Sequence, residues 1–272
     1  MTQDATTTPP TNRMLPTVRT VQVVSTEPHP LSAPASEPAR TCARVRAALV
    51  ALVLLGGGLR VGPLTSDRCL WIDESMLALN LVNRTPAQLF EPLDHNQGAP
   101  VGFLLAVKAS ILAFGPSEWA LRLVPFIVSV LGLVAFAIVA RKLLPGGAAV
   151  LAVALVAVSP HLVSYAGECK QYAGDAAFAV GLLALALGLL DGKGGFGRWA
   201  ALAVAGAGAV WCSHPATFVL GGIGTAILAQ AAVQRNRTRF LASGAVIGCW
   251  MASFGACYLL CLKQLGGNKY LT

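Results

Sequence analysis

Three polar regions interrupt an otherwise apolar chain, and each holds residue types that can do chemistry. The first is the loop LWIDESMLALNLVNRTPAQLFEPLDHNQGAP. There Asp73-Glu74 follow directly after Leu-Trp-Ile. Adjacent carboxylates beside an aromatic at a hydrophobic boundary can hold a metal, act as a general base, or sit as a plain solvated loop. Desolvation at such a boundary raises a carboxylate's proton affinity, which suits general-base work. Later in the same loop Asp94-His95-Asn96-Gln97 form a second polar cluster just before Pro100. His95 there reads as a loop residue or a ligand contact.

The second region is SYAGECKQYAGD, residues 164–175. A helix from Glu168 to Asp175 would space Glu168, Tyr172 and Asp175 at i, i+4 and i+7, along one face. Lys170 then points elsewhere on the same turn. Asp175 opens an apolar span, and acids inside spans are costly and usually face a cavity or a partner. The alternative is an interfacial helix cap. The third region is WCSHPATF, residues 211–218, where His214 either contacts an anionic ligand or caps the helix before Pro215.

The elements that must position these residues are membrane spans. Of the 272 residues 55% are hydrophobic and only 12% are charged, against roughly 25% charged in a soluble domain. That excludes a soluble globular domain and a disordered chain. Twenty basic and twelve acidic residues leave a net charge of +8. In a membrane protein such an excess belongs in cytoplasmic loops, not in a nucleic-acid reader. The seven cysteines, at 42, 69, 169, 212, 249, 257 and 261, show no metal-site spacing and no disulfide framework. A Cys69–Cys169 bridge is left open.

Residues 1–42 read as a disordered Thr/Pro-rich cytoplasmic tail, and 43–272 as one transmembrane domain. A span needs about 20 apolar residues. Ala43–Leu64, Leu123–Ala140, Leu143–Gly167, Tyr172–Leu190 and Phe240–Leu262 each supply one, with Arg60 snorkelling from the first. The uncharged stretch Trp199–Gln234 would be roughly 54 Å of helix, too long for one crossing of a core of about 30 Å. It crosses twice, turning at His214-Pro215. Val101–Phe114 is short and carries Lys108. Laying it on the outer surface keeps the basic loops at Arg141-Lys142, at Lys193 to Arg198, and at Arg235, Arg237 and Arg239 on the inside, with Arg40, Arg44 and Arg46. Making it cross reverses the three later loops. The expectation is therefore an all-α polytopic protein. It has about seven transmembrane helices, a cytoplasmic N-terminus and a large first outer loop, 65–122, with juxtamembrane helices. All three polar regions then lie on the outer face.

An acidic pair after the first span, then HNQGAPVGFLLAVKASILAFGPSEWALRLVPFIVSVLG, then ARKLLPGG, then SPHLVSYAGECKQY, resembles the GT-C membrane glycosyltransferases. The likeness is to the branch of the dolichyl-phosphate-mannose protein mannosyltransferases and lipid A aminoarabinose transferases, over about residues 45–235. The resemblance implies sugar transfer from a polyprenyl-phosphate donor to a glycan, lipid or protein acceptor at the outer face of a bacterial plasma membrane. It also implies that 272 residues form the N-terminal, site-bearing part of a longer enzyme. By position, Asp73 matches the catalytic base or acceptor-orienting carboxylate, and Glu74 its partner. The stretch from Asn96 to Lys108 matches an outer juxtamembrane helix. Arg122 matches the arginine that opens the second span. Glu168, Lys170 and Tyr172 match an acidic-basic-tyrosine element, with Lys170 where the family often has arginine. Lysine is a point charge and does not grip phosphate bidentately.

Asp73, Glu74 and Glu168 are thus the expected catalytic residues. Lys170, Tyr172, Arg122, His95, Gln97, Asp175 and His214 are the expected contacts to substrate or lipid phosphate. The DxD pattern of some relatives is absent, so a divalent cation, magnesium or manganese, stays open, with Asp73 and Glu168 as its candidate ligands. Two other functions compete: a transporter or flippase for a lipid-linked or anionic substrate, and a catalytically incompetent fragment or scaffold subunit. The first predicts an internal repeat and acids near the midplane. The sequence has no convincing repeat and places its acids at span ends.

Overall fold

A computed structural model describes residues 37–66, 68–191 and 194–262. Among them the regular structure is entirely helical, without a strand. Helix α1 spans Glu37–Thr65, α2 Ile72–Asn83, α3 Val101–Phe114 and α4 Glu118–Leu143. Then come α5 (Gly146–Val158), α6 (Pro160–Ser164), α7 (Tyr172–Leu190), α8 (Phe196–Cys212), α9 (Ala216–Val233) and α10 (Arg237–Cys257). The expected tail lies outside the described residues up to position 36. Its last part does not stay irregular, because α1 already runs from Glu37.

Five helical stretches are long and apolar enough to cross a membrane: Thr41–Thr65, Glu118–Leu143, Tyr172–Leu190, Ala216–Val233 and Arg237–Cys261. A sixth exists when α5 and the segment Pro160–Gly167, bent by 54° relative to each other, are taken as one. The chain is thus a helical membrane protein by composition and helix length. Helix α8, at 17 residues, reaches about 25 Å and falls short of a 30 Å core by itself. Helix α3, at 14 residues, is shorter still. The stretch 199–234 does divide where Pro215 stands. Proline has no N–H to continue α8, and it suits the position just before the first turn of α9.

Large apolar side chains point outward along the bundle: Leu54, Leu131, Leu155, Val204 and Phe218 are all more than half exposed. In a chain with spans of this length, that face is built for lipid. Inside, three clusters form the core. One joins α7 to α10 through Leu182, Leu189, Leu202, Ile223 and Trp250. One joins α2, α3 and α4 through Leu77, Leu81, Leu104, Val107 and Leu121, with Cys169. The third joins α1, α4 and α5 through Leu49, Leu133, Ala149 and Val153.

Arg60 does not snorkel. It is 1% exposed and turned into the bundle. Its Nε donates to Ser129 Oγ at 2.9 Å, and Nη1 to the carbonyls of Gly56 at 2.8 Å and Ala157 at 3.1 Å. Nη2 lies 3.5 Å from the Val156 carbonyl. The reason lies two residues after α5 ends. Pro160 lacks the N–H that would satisfy the Val156 carbonyl, so the break leaves acceptors open in an apolar layer. A guanidinium from α1 fills them. The bend then carries residues 161–171 back across the end of α1, where Gly167 packs against Pro63 so closely that a Cβ would collide.

Candidate active site

The α2–α3 end of the bundle is held by buried charges that hydrogen-bond to backbone. Glu74 is 1% exposed. Its Oε2 accepts from the Trp71 N–H at 3.0 Å, which starts α2, and its Oε1 accepts from the Cys169 N–H at 2.8 Å. Arg68 pairs with it at 3.4 Å. One carboxylate thus joins the first polar region to the second across 95 positions of sequence. Arg122, also 1% exposed, donates to the carbonyls of Ser66 and Arg68 and pairs with Glu118 at 2.8 Å. It pins the segment leading into α2 onto α4. Lys108, on α3, donates from Nζ to the carbonyls of Leu81 at 2.8 Å and Val82 at 3.2 Å. These are open acceptors of the last turn of α2, where a cation also complements the helix dipole.

On this frame Asp73 faces outward. Its side chain is 56% exposed and pairs with Lys170 Nζ at 3.3 Å. The same Nζ donates to Gln97 Oε1 at 3.0 Å. Lys170 itself is buried. An ammonium has three donor positions, and these two contacts leave one for a ligand oxygen. Asp73, Gln97 and Lys170 come from the first turn of α2, the α2–α3 connection and the α6–α7 connection, so three segments meet at one cation. Gln97 reaches it through a tight turn. Asn80, buried on α2, donates to the Asp94 carbonyl and accepts from the Asp94 N–H at 2.9 Å. His95 and Asn96 then adopt left-handed backbone, with φ of 60° and 53°. Two consecutive non-glycine residues in that region are strained and sit where the surroundings enforce them.

The remaining expected residues are distributed around this junction. Glu168 is not helical; its backbone is extended, and α7 begins only at Tyr172. The expected i, i+4, i+7 face is therefore corrected for Glu168, because a tight turn closes from the Lys170 N–H to the Glu168 carbonyl at 2.7 Å. Glu168 Oε1 instead accepts from Ser164 Oγ at 2.8 Å. Tyr172 stacks at a tilt on Tyr165, with centroids 5.2 Å apart, and lies within electrostatic reach of Asp73, Glu168 and Asp175. His95 is exposed at the tip of its turn, and Arg84 pairs with Asp94 beside it at 3.0 Å. Arg122 bonds to Ser66, Arg68 and Glu118 and not to Asp73, Gln97 or Lys170. His214 lies within reach of the Asp175 charge. The imidazole keeps an exposed side but is set against the protein. Partial desolvation holds its pKa below the usual histidine value, and the Asp175 charge opposes that shift.

Asp73 and Glu168 are two carboxylates on a rim where Lys170 already occupies one of them. Among the described residues no three His, Cys, Asp or Glu side chains gather to hold an ion. Cys69 is exposed and Cys169 buried, and both are free thiols. Burial, then the Glu74 charge, push the Cys169 thiol up to about 12, against Lys170 and Arg122.

Sequence reasoning missed Asn80, Arg68, Gln171 and Ser213. A lone asparagine inside an apolar helix, and a serine directly before His-Pro, were the available signals. No family model matches the chain, and no curated protein matches it.

Proposed function

We propose that the chain is an integral-membrane glycosyltransferase of the GT-C type, moving a sugar from a polyprenyl-phosphate donor to a glycan, lipid or protein acceptor. The observation that carries this reading is the junction of Asp73, Lys170 and Gln97 at one end of an apolar bundle, with Asp73 open to the outside. In this proposal α8 crosses with the other six elements, giving seven spans, and the excess of arginine at the opposite end of the bundle supports an outer-face position for the junction.

The roles follow from exposure and contact. The Asp73 carboxylate takes the proton of the acceptor hydroxyl. The hydroxyl oxygen forms its bond to the anomeric carbon as the bond from that carbon to the lipid-phosphate oxygen breaks. The phosphate leaves with the electron pair, and the remaining Lys170 donor meets its charge. Gln97 keeps Lys170 on the Asp73 side. Glu168 and Tyr172 orient the acceptor. Glu74 and Arg122, taken up by backbone groups, act as positioning residues. An outward-facing acid beside a buried cation at a membrane interface suits transfer from a lipid-held phosphate better than passage through the midplane.

The test is a transfer assay in membranes with labelled polyprenyl-phosphate sugars. Asp73→Asn should lower product formation by about 10²- to 10⁴-fold, the usual scale of a lost general base. Full activity in that variant removes Asp73 from the role.

A further inference from the structure

Four buried side-chain atoms among the described residues find no hydrogen-bond partner: Arg122 Nε, Gln171 Oε1, Asp175 Oδ1 and Ser213 Oγ. Two of them, Asp175 Oδ1 and Ser213 Oγ, belong to one place, and Gln171 stands one helical turn before Asp175 at the start of α7. Ser213, fully buried in the α8–α9 turn, has its hydroxyl near the Asp175 carboxyl, and His214 follows it. Neither Asp175 Oδ1 nor Ser213 Oγ completes a bond of normal geometry. Unsatisfied buried polar atoms are uncommon and costly, and these invite a partner that supplies hydrogen bonds.

Directly below them an apolar groove of about 500 Å³ opens sideways between α4, α7 and α8. Gly132, Phe178, Gly181, Val204, Gly208 and Cys212 help line it. Its upper end is marked by Cys212, next to Ser213 in sequence, and Ala177, two residues after Asp175. From Val204 to Cys212 it runs roughly 12 Å along α8, within one leaflet of a core of about 30 Å. A side chain added at Gly181 or Gly208 would enter open space rather than protein.

The geometry points to a single amphipathic subsite: the groove seats lipid chain, and Gln171, Asp175 and Ser213 bind the hydroxyls of a sugar headgroup. The sign of the charge selects this occupant. Two of the open atoms are pure acceptors and one is a carboxylate oxygen, so a phosphate placed on them would be repelled, while hydroxyl donors satisfy them. Resting on the transferase reading, the subsite puts the donor sugar on the Asp175 side of Tyr172 and leaves the phosphate to Lys170. It makes Asp175 and Ser213 specificity residues for the sugar, separate from the Asp73 chemistry.

Native mass spectrometry of the full chain tests it. The chain is released from a detergent without a sugar head and offered polyprenyl-phosphate hexose, bare polyprenyl phosphate and phosphatidylglycerol. The wild type should retain the hexose-linked lipid about tenfold better than the bare phosphate, the scale of one or two net hydrogen bonds. Ser213→Ala and Asp175→Ala should remove that preference while retaining bare polyprenyl phosphate. Gly208→Leu, which fills the groove, should weaken retention of both polyprenyl lipids. Equal retention of the hexose-linked and bare lipids by the wild type overturns the subsite, as does a preference that survives both head variants. So does retention unchanged by Gly208→Leu. Because binding is read without turnover, the subsite can stand where Asp73→Asn leaves transfer intact. It can also fall where Asp73→Asn abolishes transfer.

Discussion

The two ends of the helical bundle use charge in opposite ways. At the α2–α3 end Glu74, Lys108, Arg122 and Lys170 are all buried, and each binds a backbone group or a polar partner from a distant segment. At the other end Arg44, Arg141, Lys142, Arg198, Arg235 and Arg237 are exposed. Asp191 there pairs with Lys142 at 2.7 Å. The contrast follows from the backbone. The first end carries long irregular connections whose N–H and C=O groups need partners near an apolar layer. The second carries short turns that water can satisfy. Buried charge at the first end builds a shape; exposed charge at the second is, in the proposed topology, the orienting signal.

The largest expected effect of breaking this contrast is at Arg122. Arg122→Leu orphans the carbonyls of Ser66 and Arg68 and leaves Glu118 without its partner. Each carbonyl left without its donor costs about 1–3 kcal/mol, while the half-exposed Glu118 is screened by water and adds little. Denaturant unfolding in micelles should show that loss, together with new proteolytic cutting between residues 66 and 71. Arg122→Lys should recover only part of it, because an ammonium lacks the fork that spans three acceptors. A near-neutral Arg122→Leu would dissolve the distinction between the two ends.

Much of this was legible in the sequence because span length and loop charge are linear properties. The helices at 43–64, 123–140, 172–190 and 240–262, the division of 199–234 at Pro215, and the short helix at 101–114 all follow from counting apolar residues and breakers. The site was legible only as residue types. That Asp73 and Lys170 meet depends on Glu74 gripping Cys169 N–H, and no periodicity encodes a bond across 95 residues. Glu168 was misread because helix propensity said nothing of the tight turn before Tyr172. Arg60 was misread because its partner is created by Pro160, a hundred positions away in the chain. Lys108 looked like a flaw in an apolar segment, and it is the cap that fastens α3 to α2.

A second prediction sharpens the contrast chemically. Cys169 sits among the buried charges of the first end, and its thiol is pushed up to about 12. Only the thiolate reacts with maleimide, so at pH 8 about one molecule in ten thousand is competent at that site. Raising the pH toward 12 increases the thiolate fraction tenfold per unit. Cys69, exposed on the same loop system, has no such barrier of burial. Peptide mapping after brief maleimide treatment at pH 8 should label Cys69 and spare Cys169. Glu74→Gln removes a negative charge beside Cys169 and loosens its backbone anchor, so labelling of Cys169 should rise. Equal labelling of both cysteines in the unsubstituted chain would mean that the first end is not closed by its buried charges.

The smallest expected effect is the one that most directly defines the second end. Arg237 opens α10, where a cation faces the positive end of the helix dipole and gains nothing from it. Its side chain is exposed. Arg237→Gln should therefore change unfolding free energy by less than about 0.5 kcal/mol in micelles, the range of ordinary surface substitutions. In the proposed topology its consequence belongs to insertion instead, since each arginine lost from this end weakens the charge bias toward the cytoplasmic side. A reporter fused after α10 should show a minor inverted population once Arg235→Gln, Arg237→Gln and Arg239→Gln are combined, and none for Arg237→Gln alone. If Arg237→Gln destabilised the fold as strongly as Arg122→Leu, the charges of the second end would be structural as well. The division between shape-building and orienting charge would then fail at its simplest point.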